Sequence, residues 1–332
     1  MIVARAPGRV NLIGDHTDYT GGLVMPMAID RWTEVRGERG GDRVVLRSID
    51  AAEPAVIPLD IDDPRKVEPE WARYVAGVLA ELRPPAGFHG EVSTTIPLGA
   101  GLSSSAALEV AVALALGADG SALDIARLCQ AAEQKASGVP CGIMDQLASA
   151  AGVDGAALLI DCHELTVSPI SMPADLDVIV VDTGEPRALA SSAYEDRVRA
   201  CEAAERIIGP LREAAIEQVS EIADPRVRAR ARHVISENER VGWFAEAIDA
   251  RAFVDAGHMM DASHTSLRDD YEVSTPSLDR CASELRSRPG VYGARLTGAG
   301  FGGCVVALAD AGAVRDIGWI VRPVGGATVT ER

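Results

Sequence analysis

The chain has 332 residues, of which 47% are hydrophobic and 24% are charged, and its formal net charge at pH 7 is -17. This composition is typical of a globular protein and argues against a disordered or membrane-embedded chain. The acidic balance argues against binding to a nucleic-acid backbone, which requires clustered Lys and Arg, and favours small-molecule chemistry.

The length exceeds the usual size of one hydrophobic core, so we expect two lobes, residues 1–175 and 176–332, with a site between them.

The six cysteines form no CxxC pair and are typical of a reducing compartment. The N-terminal residues include Pro7 and Arg9 and do not resemble a signal peptide. The sequence therefore predicts a cytoplasmic protein.

Residues 8–19, GRVNLIGDHTDY, are the first segment with a dense set of functional groups. They combine a guanidinium (Arg9), two carboxylates (Asp15 and Asp18) and an imidazole (His16). A ligand with many hydroxyl groups requires this mixture of donors and acceptors, because each unmatched buried polar group is costly. A solvated polar turn and an Asp–His metal cluster are the alternatives.

Strands are predicted at residues 44–49 and 92–96. The second precedes residues 97–107, PLGAGLSSSAA, which lead into an apolar helix at residues 106–118. Glycines allow the backbone to approach a ligand, and the start of a helix attracts anions such as phosphate. The three serines add hydroxyl donors and candidate metal ligands. A tight turn with serine caps is the alternative interpretation.

The next helix is predicted to begin after the capping residue Ser121 and to end at Gly138. Another covers residues 142–151 and carries Asp145 in its first turn. That carboxylate could cap the helix, or it could orient or deprotonate a substrate hydroxyl. A strand at residues 156–160 follows.

The second half is predicted to be a sheet layered with helices. Strands are expected at residues 178–181, 304–309 and 319–324, and helices at residues 190–207, 226–249, 254–268 and 276–288. The glycine-rich residues 298–303 run into a strand rather than a helix, which argues against a Rossmann motif, and no Walker motif is present.

Taken together, these segments resemble the signature motifs of the GHMP kinase superfamily and, within it, the galactokinase family. The similar strings are GRVNLIGDHTDY (8–19), PLGAGLSSSAALEVA (97–111), GVPCGIMDQ (138–146), ALASSAY (188–194), SLRDDYEVSTPSLD (266–279) and LTGAGFGGC (296–304). The resemblance implies an α+β fold, with an N-terminal lobe like a ribosomal-protein α/β sandwich and a ferredoxin-like C-terminal lobe. It implies phosphorylation of the anomeric hydroxyl of D-galactose by ATP.

The resemblance also implies roles for individual residues. Arg9 and Asp145 would be catalytic, and Asp15, His16, Asp18, Gly142 and Asp145 would bind the sugar. The triphosphate would lie on Gly99, Ala100, Gly101, Leu102, Ser103, Ser104 and Ser105. Ser105 and Glu133 would hold Mg²⁺, and Trp71 would border the adenine.

The chain departs from the family at two positions. Galactokinases usually carry Glu where this chain has Asp15, and an ungapped alignment places Arg228 where a sugar-contacting Tyr is usual. These differences leave open another sugar, such as galacturonate, N-acetylgalactosamine or L-arabinose. Arg228 could equally be a solvated helix residue. The alternative from another class of function is a sensor that binds ATP and sugar without phosphoryl transfer. The protein is expected to be a monomer.

Overall fold

The computed structural model describes residues 1–185 and 190–331 of the chain. The first two residues of the ALASSAY string, 188 and 189, lie outside the described residues. Within these limits the chain is a mixture of helices and three sheets, which confirms the predicted α+β class. Among residues 1–185 and 190–331, no helix combines the length and the apolar character that a membrane crossing requires.

A six-stranded sheet contains both ends of the described chain, in the order β13-β1-β3-β6-β4-β5. Its strands are β1 (Ile2–Asn11), β3 (Pro26–Arg39), β4 (Arg43–Ser48), β5 (Ala55–Pro58), β6 (Phe88–Thr94) and β13 (Thr328–Glu331). A smaller sheet pairs β2 (Leu23–Val24), β7 (Ala156–Asp161) and β8 (Thr166–Ser171) in the order β2-β7-β8.

The first half also contains four helices: α1 (Ala72–Leu82), α2 (Ser104–Leu116), α3 (Ala122–Ser137) and α4 (Met144–Ala151). Helices α2 and α4 pack on β1 and β3, and α3 packs on the other three helices. The predicted capping of α3 is confirmed, because the Ser121 side chain accepts from the Asp124 amide and Gly138 adopts a left-handed conformation at the end of the helix. Helix α4 begins at Met144, two residues after the predicted start. The apolar helix α2 is almost entirely buried, as expected for a core helix.

The second half contains a four-stranded sheet, in the order β10-β11-β9-β12, layered with helices as predicted. Its strands are β9 (Leu176–Asp182), β10 (Val291–Leu296), β11 (Cys304–Asp310) and β12 (Trp319–Val321), and its helices are α5 (Ala190–Ile208), α6 (Pro225–Asp249), α7 (Phe253–Asp269) and α8 (Pro276–Arg286). The predicted division near residue 175 falls just before β9 and stays a prediction, while β13 pairs with β1 in the first sheet.

The prediction missed the long antiparallel pair of β1 and β3. Strand β1 is buried along most of its length, so it lacks the alternation of apolar and polar residues that identifies a half-buried strand. It also contains Pro7 and Gly8, at a point where the register between the two strands shifts. Residues 8–11, predicted as part of a polar segment, therefore form the end of a central strand.

Candidate active site

Two adjoining cavities open where β1, α2, α3 and α4 meet, with volumes of about 450 Å³ and 1030 Å³. We call them the smaller and the larger cavity. They share a wall formed by Arg9, Glu70, Tyr74, Glu133 and Asp145. A ligand in each cavity would therefore meet the other at these side chains.

Arg9 and Asp145 form the centre of the shared wall. Arg9 is 5% exposed, and its Nε and Nη2 atoms each donate a 2.7 Å hydrogen bond to a different carboxylate oxygen of Asp145. The Ser103 hydroxyl donates to the same carboxylate, and Arg9 Nη1 donates to the Gly101 carbonyl at 2.7 Å. Asp145 is thus held by the shared wall, and Ile143 rather than Asp145 occupies the N-cap position of α4.

The glycine–serine loop forms one side of the larger cavity. Gly99 and Gly101 have left-handed φ angles of 76° and 83°, which glycine adopts without strain. These glycines and the serines at 103, 104 and 105 line the cavity. Ala100 and Leu102 are buried instead, so any contact they make with a phosphate would come through their backbone. Trp71, which immediately precedes α1, also lines this cavity, and its role at the adenine stays a prediction.

A hydroxyl and a carboxylate adjoin at the base of the larger cavity. Ser105 Oγ donates to Glu133 Oε1 at 2.9 Å, and the buried Gln146 amide donates to both Glu133 and Glu109. Burial raises the pKa of Glu133, and the nearby Asp145 charge raises it further. A dication would relieve this cost, and hard oxygen donors are the ligands that Mg²⁺ prefers.

The donor set supplied by the protein is small, which fits a metal that shares its ligands with a nucleotide. In the described part of the chain, no group of three or more His, Cys, Asp or Glu side chains is placed to hold a metal ion. Mg²⁺ is usually bound by one or two protein groups together with substrate phosphates and water. Ser105 and Glu133 therefore fit the predicted role.

Asp15 lines the smaller cavity, but its carboxylate is bound by the protein. Its Oδ1 accepts from the Gly298 amide at 3.0 Å, and its Oδ2 lies 2.6 Å from Arg295 Nη2. Asp15 and Arg295 are both buried. Burial raises the pKa of Asp15, and the positive charge of Arg295 offsets part of that effect.

His16 is also engaged within the protein. Its Nε2 lies 3.2 Å from the Ala299 carbonyl, and its Nδ1 lies 3.0 Å from the Tyr19 hydroxyl. A carbonyl only accepts, so we assign the ring proton to Nε2, and Nδ1 then accepts from Tyr19. Burial lowers the pKa of His16 to about 3, so the ring is neutral at pH 7. Through the bond to Ala299, the glycine-rich turn at residues 298–303 contacts the wall of the smaller cavity.

Asp18 and Gly142 are in close contact in the smaller cavity. A Cβ atom at position 142 would lie only 2.0 Å from Asp18 Oδ2, so no larger residue fits without moving the carboxylate. Burial, followed by the charge of Asp145, raises the pKa of Asp18 to about 7. Because Gly142 has no side chain, the Asp18 carboxylate can lie directly beside its backbone.

Arg228 lies outside this arrangement. It is in the first turn of α6, where it donates to the Ala223 carbonyl at 3.1 Å, and it is not among the side chains lining either cavity. The interpretation as a helix residue therefore fits the structure better than a contact with the substrate.

Sequence reasoning missed Tyr74 and Tyr194, which line the cavities. Tyr74 is on α1, a helix that was not predicted, and Tyr194 is on α5, far along the chain from the first segment. Tyr194 lay in the ALASSAY string, whose resemblance to the family was the available signal.

Comparison with protein families identifies three matching regions. Residues 1–38 match the galactokinase galactose-binding signature. Residues 72–153 match the GHMP kinases N terminal domain, and residues 244–318 match the GHMP kinases C terminal domain.

Curated relatives align over nearly the whole chain. A galactokinase from Roseiflexus sp. (strain RS-1) is 42% identical over 94% of this chain and 84% of its own length. The galactokinase of Canis lupus familiaris is 44% identical over 93% of this chain and 84% of its own length.

Solved structures show the same fold. Lactococcus lactis galactokinase complexed with galactose superposes with a TM-score of 0.90 at 32% identity, covering 98% of this chain and 95% of that one. The Methanococcus jannaschii mevalonate kinase, at 20% identity and a TM-score of 0.66 over 93% of this chain and 90% of its own, shares the fold.

Proposed function

We infer that this chain, which belongs to the galactokinase family of the GHMP kinases, transfers the γ-phosphoryl group of ATP to the anomeric hydroxyl of D-galactose. The family resemblance of its motifs is thus confirmed. The main support for placing the reaction at this site is the Arg9–Asp145 pair, because it lies in the wall common to both cavities. We assign the sugar to the smaller cavity and ATP to the larger one.

Phosphoryl transfer depends mainly on positioning and on stabilising charge around a loose transition state. In our proposal, the Asp145 carboxylate accepts the hydrogen bond of the reacting hydroxyl and orients its oxygen toward the γ-phosphorus. Arg9 holds Asp145 at two points and places a fixed positive charge beside the transferring group. As the new O–P bond forms and the bond to ADP breaks, the hydroxyl proton moves toward Asp145.

The glycine–serine loop would hold the triphosphate through backbone amides and the start of α2. Ser105 and Glu133 would hold Mg²⁺, which when bound neutralises phosphate charge. The Gln146 amide donates to Oε2 of Glu133, while Oε1 accepts from Ser105. Trp71 would border the adenine in the larger cavity.

A second candidate function is the same reaction on a different sugar. Asp15 favours it, because this residue replaces the usual family Glu and its carboxylate is bound to Arg295 and Gly298. The side chain ends about 1.5 Å short of the position a Glu would reach, by the length of one carbon–carbon bond. The extra space could hold a larger substituent on the sugar.

An ATP-consumption assay with galactose, N-acetylgalactosamine, galacturonate and L-arabinose tests the proposal. We expect galactose to give the highest kcat/KM, with ³¹P–¹H coupling that places the phosphate on the anomeric carbon. A higher kcat/KM with another of these sugars would replace galactose as the substrate. Sugar binding without turnover of any of them would support the sensor function instead.

We also propose that the enzyme acts as a cytoplasmic monomer. Sedimentation velocity at micromolar concentration tests the oligomeric state, and a species of about twice the 34.8 kDa chain mass would contradict a monomer.

A further inference from the structure

Ser103, at the start of α2, has both an unusual backbone and an unusual side-chain contact. Its φ angle is 57°, in the left-handed region that residues with a Cβ atom rarely adopt. It occupies the N-cap position of α2, yet its side chain makes no capping hydrogen bond to the helix. Serine is usually favoured at this position because its oxygen accepts from amides of the first turn. Helix capping therefore does not explain a serine at position 103.

The Ser103 hydroxyl donates instead to Oδ2 of Asp145. Ser103 is buried and lines the larger cavity, whereas Asp145 lies in the wall that both cavities share. The bond thus joins the glycine–serine loop directly to the carboxylate that we place at the reacting hydroxyl. A left-handed backbone at a residue other than glycine is strained, and such strain is concentrated at functional sites.

The hydrogen bonds of Asp145 are distributed unequally between its two carboxylate oxygens. Each oxygen of an ionised carboxylate has two lone pairs and can accept two hydrogen bonds. Oδ2 accepts from Arg9 Nη2 and from Ser103, so both of its positions are filled. Oδ1 accepts from Arg9 Nε and from no other residue that the structure describes. One acceptor position therefore remains on the carboxylate, and it belongs to Oδ1.

We propose that Ser103 is a positioning residue for phosphoryl transfer, which fills Oδ2 of Asp145 so that the reacting sugar hydroxyl bonds only to Oδ1. A single acceptor position gives the hydroxyl oxygen one orientation toward the γ-phosphorus, and a well-defined orientation is a main source of catalysis in this reaction. Without the Ser103 hydroxyl, water or the sugar could also occupy Oδ2. The inference rests on the proposed function, because it takes Asp145 as the acceptor of the reacting hydroxyl.

This role differs from the one that the family resemblance implies for Ser103, which is contact with the triphosphate. A hydroxyl has a single proton, so it cannot donate to the carboxylate and to a phosphate oxygen at the same time. The backbone amide of Ser103 remains available to the triphosphate in our proposal. The two roles of the hydroxyl predict different kinetics. Loss of positioning slows the chemical step, whereas loss of a phosphate contact weakens nucleotide binding.

Ser103→Ala and Ser103→Gly both remove the hydroxyl. Alanine keeps the Cβ atom, and glycine adopts the left-handed conformation without strain, so we expect both variants to fold. The single-turnover rate at saturating ATP and galactose should fall about 10- to 100-fold in both, the scale of losing one hydrogen bond to a charged group. The affinity for a non-hydrolysable ATP analogue with Mg²⁺, measured by calorimetry, should stay within about twofold of the wild type.

Arg83→Gly is the matched control for the backbone change. Arg83 also has a left-handed φ angle, of 50°, and follows the end of α1, where its exposed side chain lines neither cavity. Its single-turnover rate should equal that of the wild type. A rate loss in Ser103→Gly that is absent from Ser103→Ala would overturn the proposal, because backbone freedom rather than the hydroxyl would then be responsible.

Combination with Asp145→Asn separates an effect through the carboxylate from a general effect on the loop. If Ser103 acts through Asp145, adding Ser103→Ala to Asp145→Asn should lower the residual single-turnover rate by less than about twofold. A further loss of about 10-fold or more in that background would overturn the proposal, because the hydroxyl would then act independently of the carboxylate.

The same measurements distinguish failure of this inference from failure of the proposed function. An unchanged single-turnover rate in both Ser103 variants would overturn the role of Ser103 while leaving galactose phosphorylation intact. Binding of the ATP analogue weakened by more than about fivefold would also overturn it, because the hydroxyl would then serve the triphosphate. If the wild type phosphorylates none of the sugars tested, the proposed function fails, and the inference fails with it.

Discussion

Arg9 and Asp145 are 136 positions apart in the sequence, yet they form a two-point ion pair in which Nε and Nη2 of Arg9 each lie 2.7 Å from a separate oxygen of Asp145. Charge-assisted pairs of this geometry are strong and directional. The pair fixes the carboxylate at the junction of the two cavities, which is where phosphoryl transfer between their ligands would take place.

The first prediction concerns the charge of Asp145. Asp145→Asn keeps the size of the side chain but removes the acceptor charge beside the reacting hydroxyl. We expect kcat to fall by at least about 10³-fold, which is the scale of losing a positioned acid–base group. ATP affinity, measured by calorimetry, should change by less than about threefold, because the loop keeps its backbone amides and only the hydrogen bond from Ser103 to residue 145 is altered.

Near-normal kcat in Asp145→Asn would contradict the assigned role. Asp154→Asn is the matched control, because Asp154 is exposed and accepts from the Gly325 amide outside both cavities. Its kcat should equal that of the wild type.

The second prediction concerns the space at Gly142. Gly142→Ala places a Cβ where only 2.0 Å separates it from Asp18 Oδ2, so the carboxylate must move. We expect KM for galactose to rise about 10-fold, the effect of losing about 1.4 kcal/mol of binding. The KM for ATP should stay constant. In Gly242→Ala, on α6, the added methyl meets no atom within 4 Å, so this control should leave both constants unchanged.

The third prediction concerns the pH dependence of stability. The pKa of Asp18 is about 7 in the folded chain, against an ordinary value of 3.8. Between these two pH values the folded chain keeps a proton on Asp18 that the unfolded chain has released. Its contribution to stability is therefore complete below about pH 4 and is lost as the pH rises through 7.

Asp18→Asn removes this dependence. From pH 5 to pH 8 we expect the free energy of unfolding of the wild type to fall by about 1–2 kcal/mol relative to the variant, after discounting for solvent screening. Urea denaturation at both pH values measures it. A constant difference between the two proteins would show that Asp18 does not titrate in this range.

The fourth prediction concerns Mg²⁺. Glu133→Gln keeps the shape of the side chain but replaces the carboxylate that adjoins Ser105. We expect the Mg²⁺ concentration required for half-maximal rate to rise by about 10- to 100-fold, the range seen when the coordination of a metal site is weakened. Electron paramagnetic resonance of Mn²⁺ titrated into the ADP complex gives a readout independent of turnover. Unchanged Mn²⁺ affinity would exclude Glu133 as a ligand.

Much of the site could be predicted because its functional groups are clustered in short segments. The segment around Arg9, the glycine–serine loop and the segment around Asp145 each carry their chemistry locally, and the structure brings them to one junction. The caps of α3 could be predicted for the same reason, because a capping box involves residues only three positions apart.

The remaining features depend on contacts between distant parts of the chain. Sequence alone gave no sign that Arg295, 280 positions after Asp15, would form an ion pair with its carboxylate, or that the Ala299 carbonyl would lie beside Nε2 of His16. These partners are set by how β10 and the turn after it pack against the end of β1. Strand β1 itself was missed because burial on both faces removes the alternating pattern.

A crystal structure with galactose and a non-hydrolysable ATP analogue would test the central claim most directly. We predict the anomeric oxygen of galactose about 3–3.5 Å from the γ-phosphorus, the distance of a near-attack geometry, with an Asp145 oxygen within hydrogen-bonding distance of it. A sugar bound with another hydroxyl facing the phosphate, or with Asp145 and Arg9 outside contact with the reacting groups, would contradict the account.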